Sequence, residues 1–176
     1  MADTVTGLAL ADGACLCLID EAPPTQPVHG WELVRQLAPE GSLGRIWSLS
    51  RALTYRSLER LAADGFIVRD DTADARRRHL RTTPRGRDAA LLWLDTTVEH
   101  VRDLRTTFLV IIELRRRRGL AVAEFAARQR DVLTPAFTAL ANPVHPHDNA
   151  DPVGRWRHHS TRAAHSFLTE LATQQW

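Results

Sequence analysis

Apolar residues recur three or four positions apart in six stretches of the chain, and this spacing predicts amphipathic helices. The helices are predicted over residues 6–20, 31–37, 51–64, 84–118, 122–140 and 152–171. The first is apolar on more than one face, which indicates burial between other elements. Two short segments break the helical spacing, residues 45–49 and the β-branched and aromatic run at 66–68, and both are predicted as strands.

The stretch around residues 50–81 combines a helix with a basic hairpin. Ser50 is a suitable N-cap, because its hydroxyl can accept a hydrogen bond from a free backbone N–H of the first turn. Gly65 ends the helix, since glycine readily takes the left-handed conformation of a helix stop. The strand at 66–68, a polar turn and a second strand at 76–83 follow. A helix followed directly by such a hairpin is the outline of a winged helix-turn-helix.

A long helix is predicted to begin at Thr83 and Pro84, since threonine caps a helix and proline suits its first position. Its apolar stripe is too long to bury against a domain of about 80 residues, so we expect it to pack against a second chain. Arginines 115–118 close it, where the helix dipole favours cations. The predicted fold is mainly α. A winged helix-turn-helix DNA-binding domain with a small β-hairpin wing covers residues 1–88, and a helical dimerisation and effector domain covers residues 89–176.

Composition is ordinary for a globular protein, with 44% hydrophobic and 25% charged residues. The net charge is only +2, but residues 29–88 contain 12 arginines against 8 acidic residues, so positive charge is concentrated near the hairpin. All 23 basic residues are arginine, a bias that we attribute mainly to a GC-rich genome. Cys15 and Cys17 point to different sides of a helix and are interpreted as small buried side chains. The acidic N-terminus and the lack of a long apolar run lead us to expect a cytoplasmic protein without a membrane partner.

Three motifs resemble the PadR family of transcriptional regulators. HGWEL at residues 29–33 is similar to the family's HGYEL, and WSLSRALTYRSLERLAADGFI at residues 47–67 looks like its W-x-L-S-P-G-T-L-Y-x-x-L-x-x-L-x-x-x-G-L-I pattern. RRRHLRTTPRGRDAA at residues 76–90 is similar to the family's R-R-x-Y-x-L-T-x-x-G-R wing and helix start. The chain departs from the pattern at residues 51–54 and at His79, which stands where the family has tyrosine. The resemblance implies a homodimeric repressor that a small molecule releases from DNA.

The candidate DNA-binding residues lie on the predicted recognition helix and wing: Ser50, Arg51, Tyr55, Arg56, Arg76, Arg77, Arg78 and His79. Arg51 can reach a guanine edge in the major groove, while Ser50 and the helix N-terminus favour a phosphate. Tyr55 matches the family's tyrosine and either reaches a phosphate or packs with its hydroxyl exposed. Because side chains alternate along a strand, the four wing residues cannot all face DNA, and a solvated loop is the alternative for each. The expected partner is double-stranded DNA with a pseudo-palindromic operator.

Two tryptophans are candidates for binding a small aromatic or hydrophobic effector. Trp93, where the family often has an aromatic residue, and Trp156 can each stack on a flat ligand, and core packing is the alternative for both. No cysteine or carboxylate set at a zinc spacing accompanies the 8 histidines, so no metal site is predicted. The sequence contains no glycine-rich phosphate loop, nucleophile elbow or paired-carboxylate motif, so we expect neither an enzyme nor a cofactor.

Two other functions remain open at this stage. A winged-helix protein can serve as a protein-interaction module without binding DNA, although arginines on both helix and wing favour DNA. The chain can also be a hydrophobic small-molecule-binding protein without specific DNA binding. Salt-independent behaviour in a DNA shift assay would favour the interaction module, and ligand binding without any effect on operator binding would favour the small-molecule-binding protein.

Overall fold

The computed structural model describes residues 7–23, 26, 28–70, 79–141 and 151–174. The chain divides into two compact units, Met1–Thr96 and Thr97–Trp176. The domain boundary predicted at residue 88 falls inside a helix, and the division between the units comes after that helix ends. The predicted wing arginines at 76–78 lie outside the described residues. Within the described ranges, no helix is long and apolar enough to cross a membrane.

The first unit has the topology of a winged helix. Its elements are α1 (Leu10–Asp20), β1 (Val28–His29), α2 (Gly30–Leu37), α3 (Arg51–Ala63), β2 (Ile67–Asp70), β3 (His79–Thr82) and α4 (Pro84–Leu94). The strands form an antiparallel sheet in the order β1-β3-β2, so Leu80 of β3 lies between Val28 of β1 and Arg69 of β2. The predicted class, mainly α with a small β-hairpin wing, is confirmed.

The strand predicted at residues 45–49 is wrong, and the third strand of the sheet is β1. The segment wraps around the end of α2 instead: the Leu43 N–H donates to the Gln36 carbonyl at 3.1 Å, and the Leu49 N–H donates to the Leu37 carbonyl at 2.9 Å. These carbonyls belong to the last turn of the helix, which has no intrahelical partners for them. The segment therefore closes α2 and leads the chain into α3.

α3 begins and ends where the sequence predicts. The Ser50 hydroxyl accepts a hydrogen bond from the Leu53 N–H at 3.3 Å, and Gly65 has a φ of 72°, the left-handed conformation that follows the helix. The buried face of the helix consists of Thr54, Ser57, Leu58 and Leu61. Leu53, which the leucine spacing groups with the buried leucines, is instead half exposed.

α1 is the centre of the core of this unit. Every residue from 12 to 19 is buried, as its apolar character on several faces predicts, and α3, α4 and β3 all contact it. The indole of Trp93 in α4 lies directly against Gly13, where a Cβ would overlap the ring. Glycine at this position therefore allows α1 and the indole to approach closely.

The end of α3 is tied to the start of α4. Thr83 and Pro84 start α4 as predicted, and the Thr83 hydroxyl donates to the Gly65 carbonyl at 2.8 Å while accepting a backbone N–H of the first turn. Arg85 donates from Nη1 to the Asp64 carbonyl at 2.9 Å. These side-chain bonds fix the chain on both sides of the wing.

The single long helix predicted over residues 84–118 is wrong. The chain forms α4, a short 3-10 helix at Val101–Arg105, and α5 at Thr107–Arg117. In the gap before the 3-10 helix, the side-chain amide of Gln129 accepts the Val98 N–H at 2.7 Å and donates to the Val98 carbonyl at 2.8 Å. Gln129 is fully buried. Its amide therefore satisfies the backbone groups that a continuous helix would have paired internally.

The second unit consists of the 3-10 helix, α5, α6 (Val122–Ala141) and α7 (Pro152–Thr173). Phe108 of α5 stacks on Phe125 of α6 with ring centroids 5.7 Å apart, and α6 and α7 pack along each other. Phe108, Ile111 and Leu114 are all fully buried. Much of the apolar stripe that was expected to contact a second chain is therefore buried within the chain itself.

The arginines at the end of α5 form local contacts at the helix C-terminus, where the helix dipole favours cations. Arg115 donates from Nη2 to the Ala121 carbonyl at 2.8 Å. Glu113 accepts hydrogen bonds from Arg116 at 2.9 Å and from Arg117 at 3.2 Å. The hydrogen bond from Arg116 is the largest of the effects that hold the pKa of Glu113 below its ordinary value of 4.5.

Candidate nucleic-acid interface

Arg51, Tyr55 and Arg56 lie on the side of α3 that the core leaves exposed. The guanidinium carbon of Arg51 lies 5.7 Å from the centroid of the Tyr55 ring. Tyr55 is 37% exposed, and its ring approaches Gly30 of α2, where a Cβ would stand 3.0 Å from Tyr55 Cε1. Tyr55 therefore packs on α2 with one edge and supports the Arg51 side chain at the surface with its face.

Ser50 caps the N-terminus of α3. Ser50 is exposed, so this helix end lies at the surface. Its oxygen accepts the Leu53 N–H, which leaves the hydroxyl proton able to donate to an outside acceptor. Arg51 follows at the first helical position. A guanidinium and the positive end of the helix dipole therefore lie together, and both favour an anion such as a phosphate.

The arginines of α3 differ in their partners. Arg60 forms a two-point ion pair with Asp12 of α1, from Nε to Oδ2 at 3.1 Å and from Nη2 to Oδ1 at 2.6 Å, and this hydrogen bonding raises the pKa of Arg60. In the part of the chain that the structure describes, Arg51 and Arg56 form no ion pair and donate no hydrogen bond. Their N–H donors are therefore available to an external acceptor.

His79 lies at the end of the wing strands nearest to residues 71–78, which are outside the described ranges. Its ring meets the ring of His29 on β1 edge to face, with centroids 4.8 Å apart. His79 is half-buried in this pair, and its role in DNA contact stays a prediction. Among the described residues, no three His, Cys, Asp or Glu side chains are grouped as a metal site would require.

Two exposed residues of α2, the helix that Tyr55 contacts, were missed as functional candidates. The apolar spacing of α2 groups Trp31 with Leu33 and Leu37, but Trp31 is 49% exposed while the two leucines are buried. The guanidinium carbon of Arg35 lies 5.4 Å from the centroid of the Trp31 ring. The spacing of four residues between an aromatic and a cation was the signal in the sequence that could have identified the pair.

The two tryptophans proposed as effector contacts occupy different environments. Trp93 is 4% exposed and packs on Gly13, a placement that favours the core interpretation. Trp156 is 68% exposed and lies on α7 at a cleft of about 740 Å³ in the second unit. Phe167 and Leu109 contribute apolar surface to the cleft, and arginines 102, 105 and 157 contribute positive charge.

The fold and this surface define a winged-helix protein whose α3 exposes two arginines that have no ion pair in the described part of the chain. No protein-family model matches the sequence, and no curated protein matches it. Among solved structures, the chain is similar to Bacillus subtilis PadR in complex with operator DNA, with 16% identity and a TM-score of 0.42 over 95% of this chain and 94% of the other. It is also similar to Bacillus subtilis PadR in complex with p-coumaric acid, with 17% identity and a TM-score of 0.39 over 98% and 97% of the two chains. TM-scores below 0.5 mark a loose similarity, so a function for this chain must come from its own side chains.

Proposed function

We propose that this chain is a PadR-like DNA-binding transcriptional regulator, a homodimeric repressor that a small molecule releases from its operator. The proposal depends on one observation. α3 starts at a capped N-terminus and carries on its exposed face Arg51 and Arg56, which form no ion pair within the described residues, whereas Arg60 on the same helix is paired with Asp12. Unpaired guanidinium groups on the helix that precedes the wing fit a recognition helix entering the major groove.

Arg51 is the residue expected to recognise sequence. The N-terminal residues of a recognition helix contact base edges, and stacking on Tyr55 restricts the guanidinium of Arg51 without using its N–H donors. A bidentate contact from arginine to guanine provides about 1–3 kcal/mol of discrimination. Arg56 lies one turn further along the exposed face and is proposed to bind a phosphate.

DNA binding is tested by fluorescence anisotropy with a duplex from the promoter of its own gene and a shuffled duplex of the same composition. The wild-type protein should prefer the promoter duplex, and its affinity should fall steeply with salt because bound phosphates release counterions. Arg51→Ala should weaken promoter binding about 5- to 150-fold, the equivalent of one lost bidentate contact. Arg155→Ala is the matched control, because Arg155 is an exposed arginine on α7 whose side chain forms no ion pair within the described residues.

Equal binding of Arg51→Ala and wild-type protein would contradict the assignment of Arg51. A wild-type protein that shows no salt-dependent binding to either duplex would contradict DNA binding altogether. That result would favour the winged-helix interaction module instead.

Homodimerisation is proposed because two recognition helices are needed to read a pseudo-palindromic operator. The long helical stripe no longer supports it, since Phe108, Ile111 and Leu114 are buried within the chain. Support comes instead from Leu91 and Leu92 of α4, which are both about half exposed and provide apolar surface for a partner. Size-exclusion chromatography with light scattering should give twice the mass of the chain, and a monomeric mass would contradict the dimer.

The cleft beside Trp156 is the proposed effector site. Its exposed indole, the neighbouring Phe167 and the three arginines suit an aromatic molecule. A compound that quenches the fluorescence of the protein but not of Trp156→Phe, and that lowers affinity for the promoter duplex, would support release by an effector. A compound that binds this cleft without changing DNA binding would favour a small-molecule-binding protein instead.

A further inference from the structure

Trp31 stands out on α2 because half of a large aromatic side chain is left in solvent. The inward side of the helix is already occupied by Leu33 and Leu37, which are fully buried. The indole stacks with the ring of His29 at a centroid distance of 6.3 Å and an angle of 16°, and it supports the guanidinium of Arg35. Its contacts are therefore with polar and cationic side chains at the surface rather than with the core.

Arg35 is held in position without losing any hydrogen-bonding capacity. It is exposed, and within the described residues it forms no ion pair and donates no hydrogen bond. Contact with the face of an aromatic ring leaves the N–H donors at the edge of the guanidinium free. A restricted guanidinium with its donors free is suited to bidentate binding of a phosphate.

The same arrangement occurs on the neighbouring helix, where Arg51 lies over Tyr55. The two helices meet close to Trp31, because the Tyr55 ring lies against Gly30, the residue that precedes Trp31. α2 and α3 therefore pack against each other, and each carries an exposed arginine beside an aromatic ring.

We infer that Arg35, supported by Trp31, binds the DNA phosphate backbone beside the groove that α3 enters, and that Trp31 is a positioning residue for Arg35. The inference rests on the proposed function. Packed helices have axes about 8–10 Å apart, and the major groove is about 12 Å wide. A side chain on the helix next to the groove-bound helix therefore meets the phosphates at the edge of the groove, where the first helix of a helix-turn-helix crosses the backbone.

A phosphate contact predicts a different mutant behaviour from a base contact. Arg35→Ala should weaken binding to the promoter duplex and to the shuffled duplex by the same factor, since phosphates carry no sequence information. The slope of log affinity against log salt should become shallower by about 0.9, the value for one phosphate, which corresponds to roughly fivefold weaker binding at 0.15 M salt. Arg51→Ala should instead lose the preference for the promoter duplex.

The role of Trp31 is tested by variants that leave the charge unchanged. Trp31→Ala should weaken binding to both duplexes. Trp31→Tyr should bind both duplexes as wild type does, because tyrosine keeps an aromatic face beneath the guanidinium. Trp31→Ala in an Arg35→Ala background should have no further effect. Circular dichroism of each variant should match wild type, since both side chains are exposed, and Arg155→Ala again serves as the charge control.

The outcomes separate this inference from the proposed function. If wild type binds DNA and Arg35→Ala keeps both its affinity and its salt slope, the phosphate contact is refuted and the regulator stands. If Arg35→Ala weakens binding but Trp31→Ala does not, the positioning role of Trp31 is refuted. If wild type binds neither duplex, the proposed function itself fails.

Discussion

Gly13→Ala tests the packing of Trp93 at the centre of the winged-helix unit. Gly13 lies in the middle of α1, and a Cβ there would overlap three atoms of the Trp93 indole. The distances from this Cβ to the indole atoms are far shorter than the ordinary contact distance of about 3.5–4.0 Å between carbon atoms. Trp93 is only 4% exposed, so its ring has no solvent-facing position to adopt without leaving the core.

Two opposing effects decide the stability of this variant. Alanine is favoured over glycine within a helix by about 0.8–1.0 kcal/mol. Overpacking a filled core costs about 1–3 kcal/mol, and an overlap with a rigid indole belongs near the upper limit. Expelling the indole instead would lose burial worth about 3–5 kcal/mol, as in truncation of a core aromatic. We therefore expect the variant to be destabilised by a net of about 2 kcal/mol.

The free energy of unfolding is measured by urea denaturation monitored by far-UV circular dichroism. Gly7→Ala is a control outside the helix, because no atom of the described residues lies within 4 Å of a Cβ at that position. A double-mutant cycle with Trp93→Phe should show that the smaller ring relieves part of the cost of Gly13→Ala. A Gly13→Ala protein that is about 1 kcal/mol more stable than wild type would show helix propensity acting alone and would refute the packing of Trp93 against α1.

Two further predictions concern ionisable groups away from the DNA surface. Burial raises the pKa of the Cys15 thiol to about 12, and Cys17 is also buried. At pH 8, iodoacetamide should therefore label both cysteines far more slowly in the folded than in the urea-unfolded protein. Equal labelling rates, measured by mass spectrometry, would contradict this prediction. The pKa of Glu113 is lowered by its arginine partners, so its stabilising effect is present above the ordinary pKa of 4.5 and is lost as the pH falls through the lowered value. The melting temperature of Glu113→Gln should therefore lie below that of wild type at pH 7, and a gap that stays constant down to pH 3 would contradict the prediction.

The boundaries of α3 and the start of α4 could be predicted because their signals are local. The hydroxyl of Ser50 reaches an N–H three residues away, and Thr83 does the same at the next helix. Residue type and spacing within one turn are sufficient to identify such caps. Gly65 likewise marks the end of α3 through its own backbone conformation.

The break in the predicted long helix could not be found in this way. Apolar residues continue at helical spacing through Val98 and Leu104, and both are buried as that pattern suggests. Beyond the end of α4 at Leu94, the buried amide of Gln129 pairs with the backbone of Val98, a residue 31 positions earlier. Tertiary partners of this kind override the local preference, and periodicity carries no information about them.

Sequence-based prediction of the candidate site has the same limit, because arginines that look equivalent in the sequence have different partners in the structure. Arg56 and Arg60 are four residues apart on one helix, yet Arg60 is bound to Asp12, a residue 48 positions away. Charge counted along the sequence therefore overestimates the charge available to DNA.

The same division of tasks supports the proposed role of α3 as a rigid recognition element. Arg60 ties the helix to α1 through Asp12, and Arg85 holds the carbonyl of Asp64 where the helix ends. The first of these bonds is partly buried, since the side chain of Asp12 is 12% exposed and that of Arg60 is 45% exposed. Because Arg60 and Arg85 fix the helix in place, α3 does not have to become ordered when its other exposed arginines bind a partner. This lowers the entropic cost of association. Breaking the pair by Asp12→Ala should therefore weaken binding to promoter DNA although Asp12 lies on α1 and not on α3. Unchanged affinity in a correctly folded variant would show that α3 is held firmly enough without the pair.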